Sequence, residues 1–197
     1  MKKWLIASTL IISLISCSFA FSAAPLDTVK TNVNSVLDIL TDPKLKGESG
    51  KKVKGQRIWA AADKLFDFVE LSKRTLGINW NKFSQEQRKE FVSLYRTILK
   101  DAYVDKITAY TNEQVDFTKE IPISDNMAEV QSVVTGNKGN VSIYYRVINK
   151  GGEWKVYDVV IEGVSLINNY RTQFRDILGN NPPEALLDSL RKKTDKK

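Results

Sequence analysis

The sequence predicts an α+β fold: a curved antiparallel sheet of about four strands covered by N- and C-terminal helices. Three observations carry that prediction. Apolar residues recur at helical steps up to residue 110, at steps of two from residue 115 to 161, and at helical steps again after 165. The links between the strands are too short for crossover helices, so neighbouring strands are antiparallel. The last two strands carry apolar or aromatic side chains on both faces, so each face is either covered or lines a cavity.

The first helix is written in Leu26, Val29, Val33, Val36, Leu37 and Leu40, and Asp42-Pro43 ends it, because a residue before proline is pushed out of helical geometry. The next stretch holds Lys44, Lys46, Lys51, Lys52, Lys54 and Arg57, broken by Gly47, Gly50 and Gly55, and reads as a solvated loop. A second helix is expected from Ile58 to Leu76, with Ala62, Leu65, Phe66, Val69 and Leu71 on its apolar face and Gly77 as its stop. Ser84 and Gln87 have the spacing of a capping box, with Phe83 placed to staple it. Behind that cap runs the longest helix, whose wide apolar face holds Phe91, Leu94, Tyr95, Ile98, Leu99, Ala102, Tyr103, Ile107 and Tyr110.

The period then changes. Val115 and Phe117 alternate with Asp116 and Thr118; Val130, Ser132 and Val134 with Gln131 and Val133; Val141, Ile143, Tyr145 and Val147 with Ser142, Tyr144 and Arg146. Gly151-Gly152 marks a hairpin, and Trp154 to Ile161 continues the pattern. Simple alternation sets Tyr157, Val159 and Ile161 opposite Trp154, Val156 and Val160, and puts Tyr157 and Asp158 on opposite faces. Gly163 supplies the turn from strand to helix. Ser165 caps a helix bearing Leu166, Ile167, Tyr170, Phe174 and Ile177; Gly179 to Pro183 breaks the chain before a last helix with Leu186, Leu187 and Leu190.

At 197 residues, with 42% hydrophobic and 27% charged, the chain suits one folded domain. It has no His, and its single Cys is Cys17. Ser-His-Asp and Cys-His catalysis, zinc sites of His and Cys, and a disulfide within the chain are therefore excluded. No cofactor or metal is expected. Met1-Lys2-Lys3, the apolar run Trp4 to Ile15 and the small residues around Ser18-Phe19-Ala20 have the three-part layout of a secretory signal. Residues 1–20 are read as that signal, removed on export to the periplasm. The alternative is a lipoprotein anchored at Cys17, since Leu14-Ile15-Ser16-Cys17 loosely resembles a lipobox. The net charge of +7 suits anionic surfaces, but no aromatics interleave the basic stretch, so nucleic acid is not an expected partner.

Trp154-Lys155-Val156-Tyr157-Asp158-Val159-Val160-Ile161-Glu162-Gly163-Val164-Ser165, continued by Asn169-Tyr170-Arg171-Thr172-Gln173-Phe174, resembles the signature of the MlaC family, also called toluene-tolerance auxiliary proteins. The resemblance extends through Phe66-Asp67-Phe68, Leu76-Gly77, Trp80, Gln87-Arg88, Phe91, Leu99, Tyr103 and Val141 to Arg146. It implies one lipid-binding domain over residues 21–197, with a helical part at 25–111, a sheet at 113–162 and C-terminal helices at 165–192. The fold would be a cone like that of nuclear transport factors, with a helical subdomain and a deep apolar pocket. By the same resemblance the protein is a monomeric periplasmic phospholipid carrier that helps maintain outer-membrane asymmetry. Its partners would be phospholipid, an inner-membrane ABC transporter complex of the Mla type and an outer-membrane lipoprotein complex.

Extracting a diacyl lipid demands comparable burial: at ~0.8 kcal/mol per CH₂, two chains of about sixteen carbons represent roughly 25 kcal/mol. The residues placed to supply it are Tyr95, Ile98, Leu99, Tyr103, Tyr145, Val147, Val159, Ile161, Val164, Ile167 and Tyr170, about half lining a cavity and the rest packing behind it. Trp154, Asp158, Gly163, Ser165 and Arg171 are read as a structural motif, Asp158 tying down a neighbouring backbone or arginine and Arg171 pairing with it or sitting near the mouth. Two other classes stay open: an isomerase or dehydratase on the same cone, with Asp158 as base beside Tyr145 or Tyr157, and a structural envelope protein anchored through Cys17.

Overall fold

The computed structural model describes residues 24–109, 113–137 and 139–195. The expected signal at residues 1–20, Cys17 and Tyr110 lie outside the described residues. Six helices and five strands follow one another as α1 (Pro25–Thr41), α2 (Glu48–Leu65), α3 (Phe68–Leu76), α4 (Gln85–Thr108), β1 (Gln114–Ser124), β2 (Met127–Gly136), β3 (Gly139–Lys150), β4 (Glu153–Ile161), β5 (Val164–Ser165), α5 (Leu166–Leu178) and α6 (Pro183–Thr194), with short 3₁₀ turns after α1 and α3. The strands pair in chain order as one antiparallel sheet, β1-β2-β3-β4-β5. No described helix is long and apolar enough to cross a membrane.

The expected capping box is present: the Ser84 hydroxyl accepts the Gln87 N–H at 3.2 Å, and the Gln87 side chain accepts the Ser84 N–H at 3.0 Å. Phe83 meets Phe91 edge-on, with ring centroids 5.8 Å apart. Helix α4 packs on α6, α2 and α3, and Phe91, Tyr95 and Leu99 form the buried centre of a helical core shared with α3, α5 and α6.

Four local features differ from or extend what the sequence predicts. The basic stretch is helical: Gly50 and Gly55 lie inside α2. A Cβ on Gly50 would come within 2.4 Å of the Leu45 carbonyl carbon, so this glycine serves close approach. Lys51 and Lys52 point to solvent while Ile58 and Leu65 are buried. Next, the helix expected from Ile58 to Leu76 divides at Phe66-Asp67. Phe66 is extended and bridges to Val156 of β4, the Asp67 N–H donates to the Val156 carbonyl at 2.9 Å, and the Asp67 carboxylate caps α3 through the Glu70 N–H at 2.8 Å. Sheet contact outweighs helical continuity there. A third feature, on which alternation at Val115 to Thr118 set no bound, is that β1 runs on through Pro122 to Ser124; as an edge strand it tolerates the missing N–H.

The fourth feature is a register shift. Arg146 faces Asp158 but Val147 faces Val156, so Tyr157 is an extra, bulged residue. Parity resets there. Trp154, Val156, Val159 and Ile161 all join the apolar cluster on one face, together with Val29 of α1 and Leu65 of α2. Tyr157 turns to the other face, where it packs with Met127 and Ile148 in the cluster that contains α3 and α5. Helices thus cover both faces of the sheet beside β4.

Candidate functional site

Two apolar clusters divide the expected pocket residues, and Phe66 and Tyr103 belong to both. On the α1 face of the sheet lie Tyr103, Tyr145, Val147, Val159 and Ile161. In the helical core lie Tyr95, Ile98, Leu99, Ile167 and Tyr170. Tyr95 is wholly buried, with ring centroids of Tyr170 and Phe174 at 5.1 and 5.3 Å. Burial drives its phenol far above the usual range, although the Thr75 hydroxyl donates to it at 3.4 Å. Val164 belongs to neither group and is 57% exposed.

The α1-face group is built by register. Phe117, Ser132, Ile143 and Ile161 stand side by side across four strands, followed one step inward by Val130, Tyr145 and Val159, and then by Ala128, Val147 and Val156. Helix α1 lays Val29 and Val33 over them, and its Leu26 N–H donates to Glu120 of β1 at 2.8 Å. Leu26, Val29, Val33, Phe66, Phe117 and Ile143 were not among the expected site residues. Their strand alternation and helical spacing were visible in the sequence, but which helix covers which strand was not.

Burial within this group is uneven in a telling way. Val130, Val147 and Ser132 have no exposed surface. Tyr145, between them, is enclosed deeply enough that burial pushes its phenol up to about 12, with Ser132 alone acting in the other direction. Yet Tyr145 keeps accessible surface, as do Tyr103, Phe117, Ile143 and Ile161 beside it. These partly buried side chains make a surface that is apolar apart from the Tyr145 and Tyr103 hydroxyls. Burial also raises the Tyr103 phenol. These phenols stay neutral across the physiological range, and the group offers no general base and no charge.

Across the sheet lies a second hollow, an open cleft of about 470 Å³. Arg74, Arg146, Arg171, Glu129 and Asp158 line it with Ile121, Ile123 and Tyr157. So charged a lining would set an apolar guest against ionised groups. The cleft is the place where Tyr157 and Asp158 meet, contrary to the expectation from alternation, because the bulge turns both towards it. Asp158 is 1% exposed and fully engaged: Oδ2 accepts the Ser165 hydroxyl at 2.7 Å and Arg146 at 3.2 Å, and Oδ1 accepts the Ile167 N–H at 3.1 Å. A carboxylate so engaged acts as a fastener between β4, Arg146 and the start of α5.

The remaining motif residues act around it. Ser165 also caps α5 through the Asn168 N–H at 3.1 Å. Gly163, at φ +78°, follows Glu162 at φ +50° in the tight turn between β4 and β5, one strand earlier than the strand-to-helix turn expected for it. Trp154 is half-buried in the α1-face cluster. Arg171 does not reach Asp158; its guanidinium donates to the Arg74 carbonyl at 2.7 Å and to Asn168 at 3.3 Å. Among the described residues no group of His, Cys, Asp and Glu could hold a metal ion.

Comparison with known proteins gives concordant results. Residues 30–192 match the family described as MlaC protein. Over 134 residues, 64% of this chain and 63% of the relative, the sequence is 27% identical to the intermembrane phospholipid transport system binding protein MlaC of Haemophilus influenzae. Over 113 residues, 56% of this chain and 53% of the relative, it is 29% identical to a toluene tolerance protein of Pseudomonas putida. The chain thus spans less than two thirds of the length of either curated relative. A phospholipid-binding protein from Ralstonia solanacearum, solved in complex with a phospholipid, superposes with a TM-score of 0.78 at 26% identity, covering 88% of this chain and 98% of that one.

Proposed function

This chain belongs to the MlaC family, and we propose that it is a periplasmic phospholipid carrier whose acyl-chain site is a void on the α1 face of the sheet. The observation that supports this function is the apolar sheet face under α1, where Tyr103, Phe117, Ile143, Tyr145 and Ile161 pack in the cluster yet remain only partly buried. Tyr103, Tyr145, Val147, Val159 and Ile161 line the void together with Phe117 and Ile143, and the chains gain ~0.8 kcal/mol for each CH₂ they bury there. Tyr95, Ile98, Leu99 and Tyr170 pack behind it in the helical core, Val164 stands at its rim, and Ile167 lines the charged cleft across the sheet.

Such a protein moves lipid without transforming it. Its route runs between the outer membrane and an inner-membrane ABC transporter, so its partners are that transporter and an outer-membrane lipoprotein complex. Residues 1–20 direct export and are removed, leaving the domain at 21–197. Organic extraction of the purified mature protein, followed by lipid mass spectrometry, tests this. Near-stoichiometric phospholipid is expected; a preparation from intact cells that yields none overturns the proposal.

A further inference from the structure

The apolar face of the sheet becomes more exposed towards one end. Following the register outward from wholly buried Val130 and Val147, the same face passes through Tyr145 and Val159, then half-buried Ile143 and Ile161, and ends in Val141 and Val164, which are 38% and 57% exposed. Val141 pairs with Val134, next to the start of β1, where Gln114 pairs with Thr135. Only residues 109–113 connect the end of α4 to that point, a reach of roughly 20 Å at most. The last turns of α4 therefore lie within that reach of the exposed end of this face. They carry Tyr103, whose ring belongs to the apolar cluster, and Lys106 one turn further on. The Lys106 ammonium lies 5.2 Å from the centroid of the Tyr103 ring. Lys106 is exposed and has no carboxylate partner among the described residues. Glu162, at the β4–β5 turn, accepts the Ser142 hydroxyl at 3.2 Å.

We propose that Lys106 pairs with the phosphodiester of the lipid whose chains fill the void, with Tyr103 serving both: one part of its ring against acyl chain, its face towards the ammonium. The cation–π contact holds the ammonium at the mouth, where a phosphate that cannot enter the apolar interior must remain. The pairing rests on the carrier function proposed above, and it gives an otherwise apolar site a preference for phosphate-bearing lipids over neutral ones.

Release of bound dioleoylphosphatidylglycerol and of dioleoylglycerol to acceptor vesicles separates the two proposals. For Lys106→Gln, phosphatidylglycerol release is expected to be about threefold faster than wild type, within the range of a partly exposed ion pair, with diacylglycerol release unchanged. Lys106→Glu should release faster still, Lys106→Arg should restore wild-type release, and high salt should bring wild type to the Lys106→Gln rate. Equal acceleration of both lipids, or none in Lys106→Glu, overturns the headgroup role while leaving the carrier intact. A wild-type protein that holds neither lipid takes both proposals down.

Discussion

The buried carboxylate of Asp158 accepts the hydroxyl of Ser165 at 2.7 Å. The bond joins the end of β4 to the first residue before α5, and the same carboxylate takes the Ile167 N–H of the helix's first turn. One side chain thus sets where α5 leaves the sheet, and with it the position of Leu166 on the α1 face and Ile167 in the helical core. Arg146, forked between Glu129 at 3.1 Å and Asp158 at 3.2 Å, neutralises the charge that this arrangement buries.

Asp158→Ala leaves the Ser165 hydroxyl and the Ile167 N–H without their acceptor and takes from Arg146 one of its two carboxylates. The expected loss of stability is about 3 kcal/mol. Asp158→Asn, which keeps one acceptor oxygen, should lose about half of that. Urea unfolding followed by circular dichroism measures both, and an Asp158→Ala midpoint equal to wild type would refute the fastener role.

Ile143 is half-buried between Ser132 and Ile161, and in the proposed carrier it lines the acyl-chain site. Ile143→Trp is expected to fill space that lipid would otherwise occupy, so copurified phospholipid should fall several-fold while the thermal midpoint holds or rises. In a solid core the same enlargement would cost about 1–3 kcal/mol. Lipid content and melting temperature, read on one preparation, distinguish the two.

Lys150 bridges Asp67 at 2.7 Å and Glu70 at 3.0 Å, tying the β3–β4 hairpin to the start of α3. Burial raises both carboxyls, but the hydrogen bonds from Lys150, with the Glu70 N–H on Asp67 and Arg74 on Glu70, more than reverse that and hold them below the usual range. Carboxyls with depressed folded-state values contribute stability that is fully present above their unfolded values and is lost as pH falls through the folded ones. Unfolding free energy should therefore decline below about pH 5. Burial lowers the Lys150 ammonium, but its two carboxylate partners raise it overall, so its own contribution persists to alkaline pH and is lost only as pH rises through that elevated value. In Lys150→Met the acid decline should be shallower, by about 1 kcal/mol at its foot. An identical pH profile in wild type and Lys150→Met would remove this cluster from the acid response.

Much of the fold can be read along the chain because its signals are local. The Ser84 and Gln87 pair states where α4 begins, Gly151-Gly152 states where β3 turns into β4, and Ser165 states where α5 starts. Each depends on residues only a few positions apart. The family signature from Trp154 to Ser165 is equally local, since the fastener and the turn that it holds lie within that one stretch.

Long-range packing decided the rest. Beside Phe66, Asp67 followed by Glu70 is a local signal for a new helix start, but the strand partner that makes Phe66 extended, Val156, lies ninety positions later. The glycines of α2 look like loop residues until Leu45 is seen resting on Gly50. The bulge at Tyr157 inverts the parity behind it, so alternation alone assigned Val159 and Ile161 to the face opposite Val156. Composition and period determined that this protein has an aromatic helix, an apolar sheet and no histidine chemistry. Whether those apolar surfaces meet or stand apart depends on how helices of fixed shape seat on a twisted sheet, and only the folded chain sets that spacing.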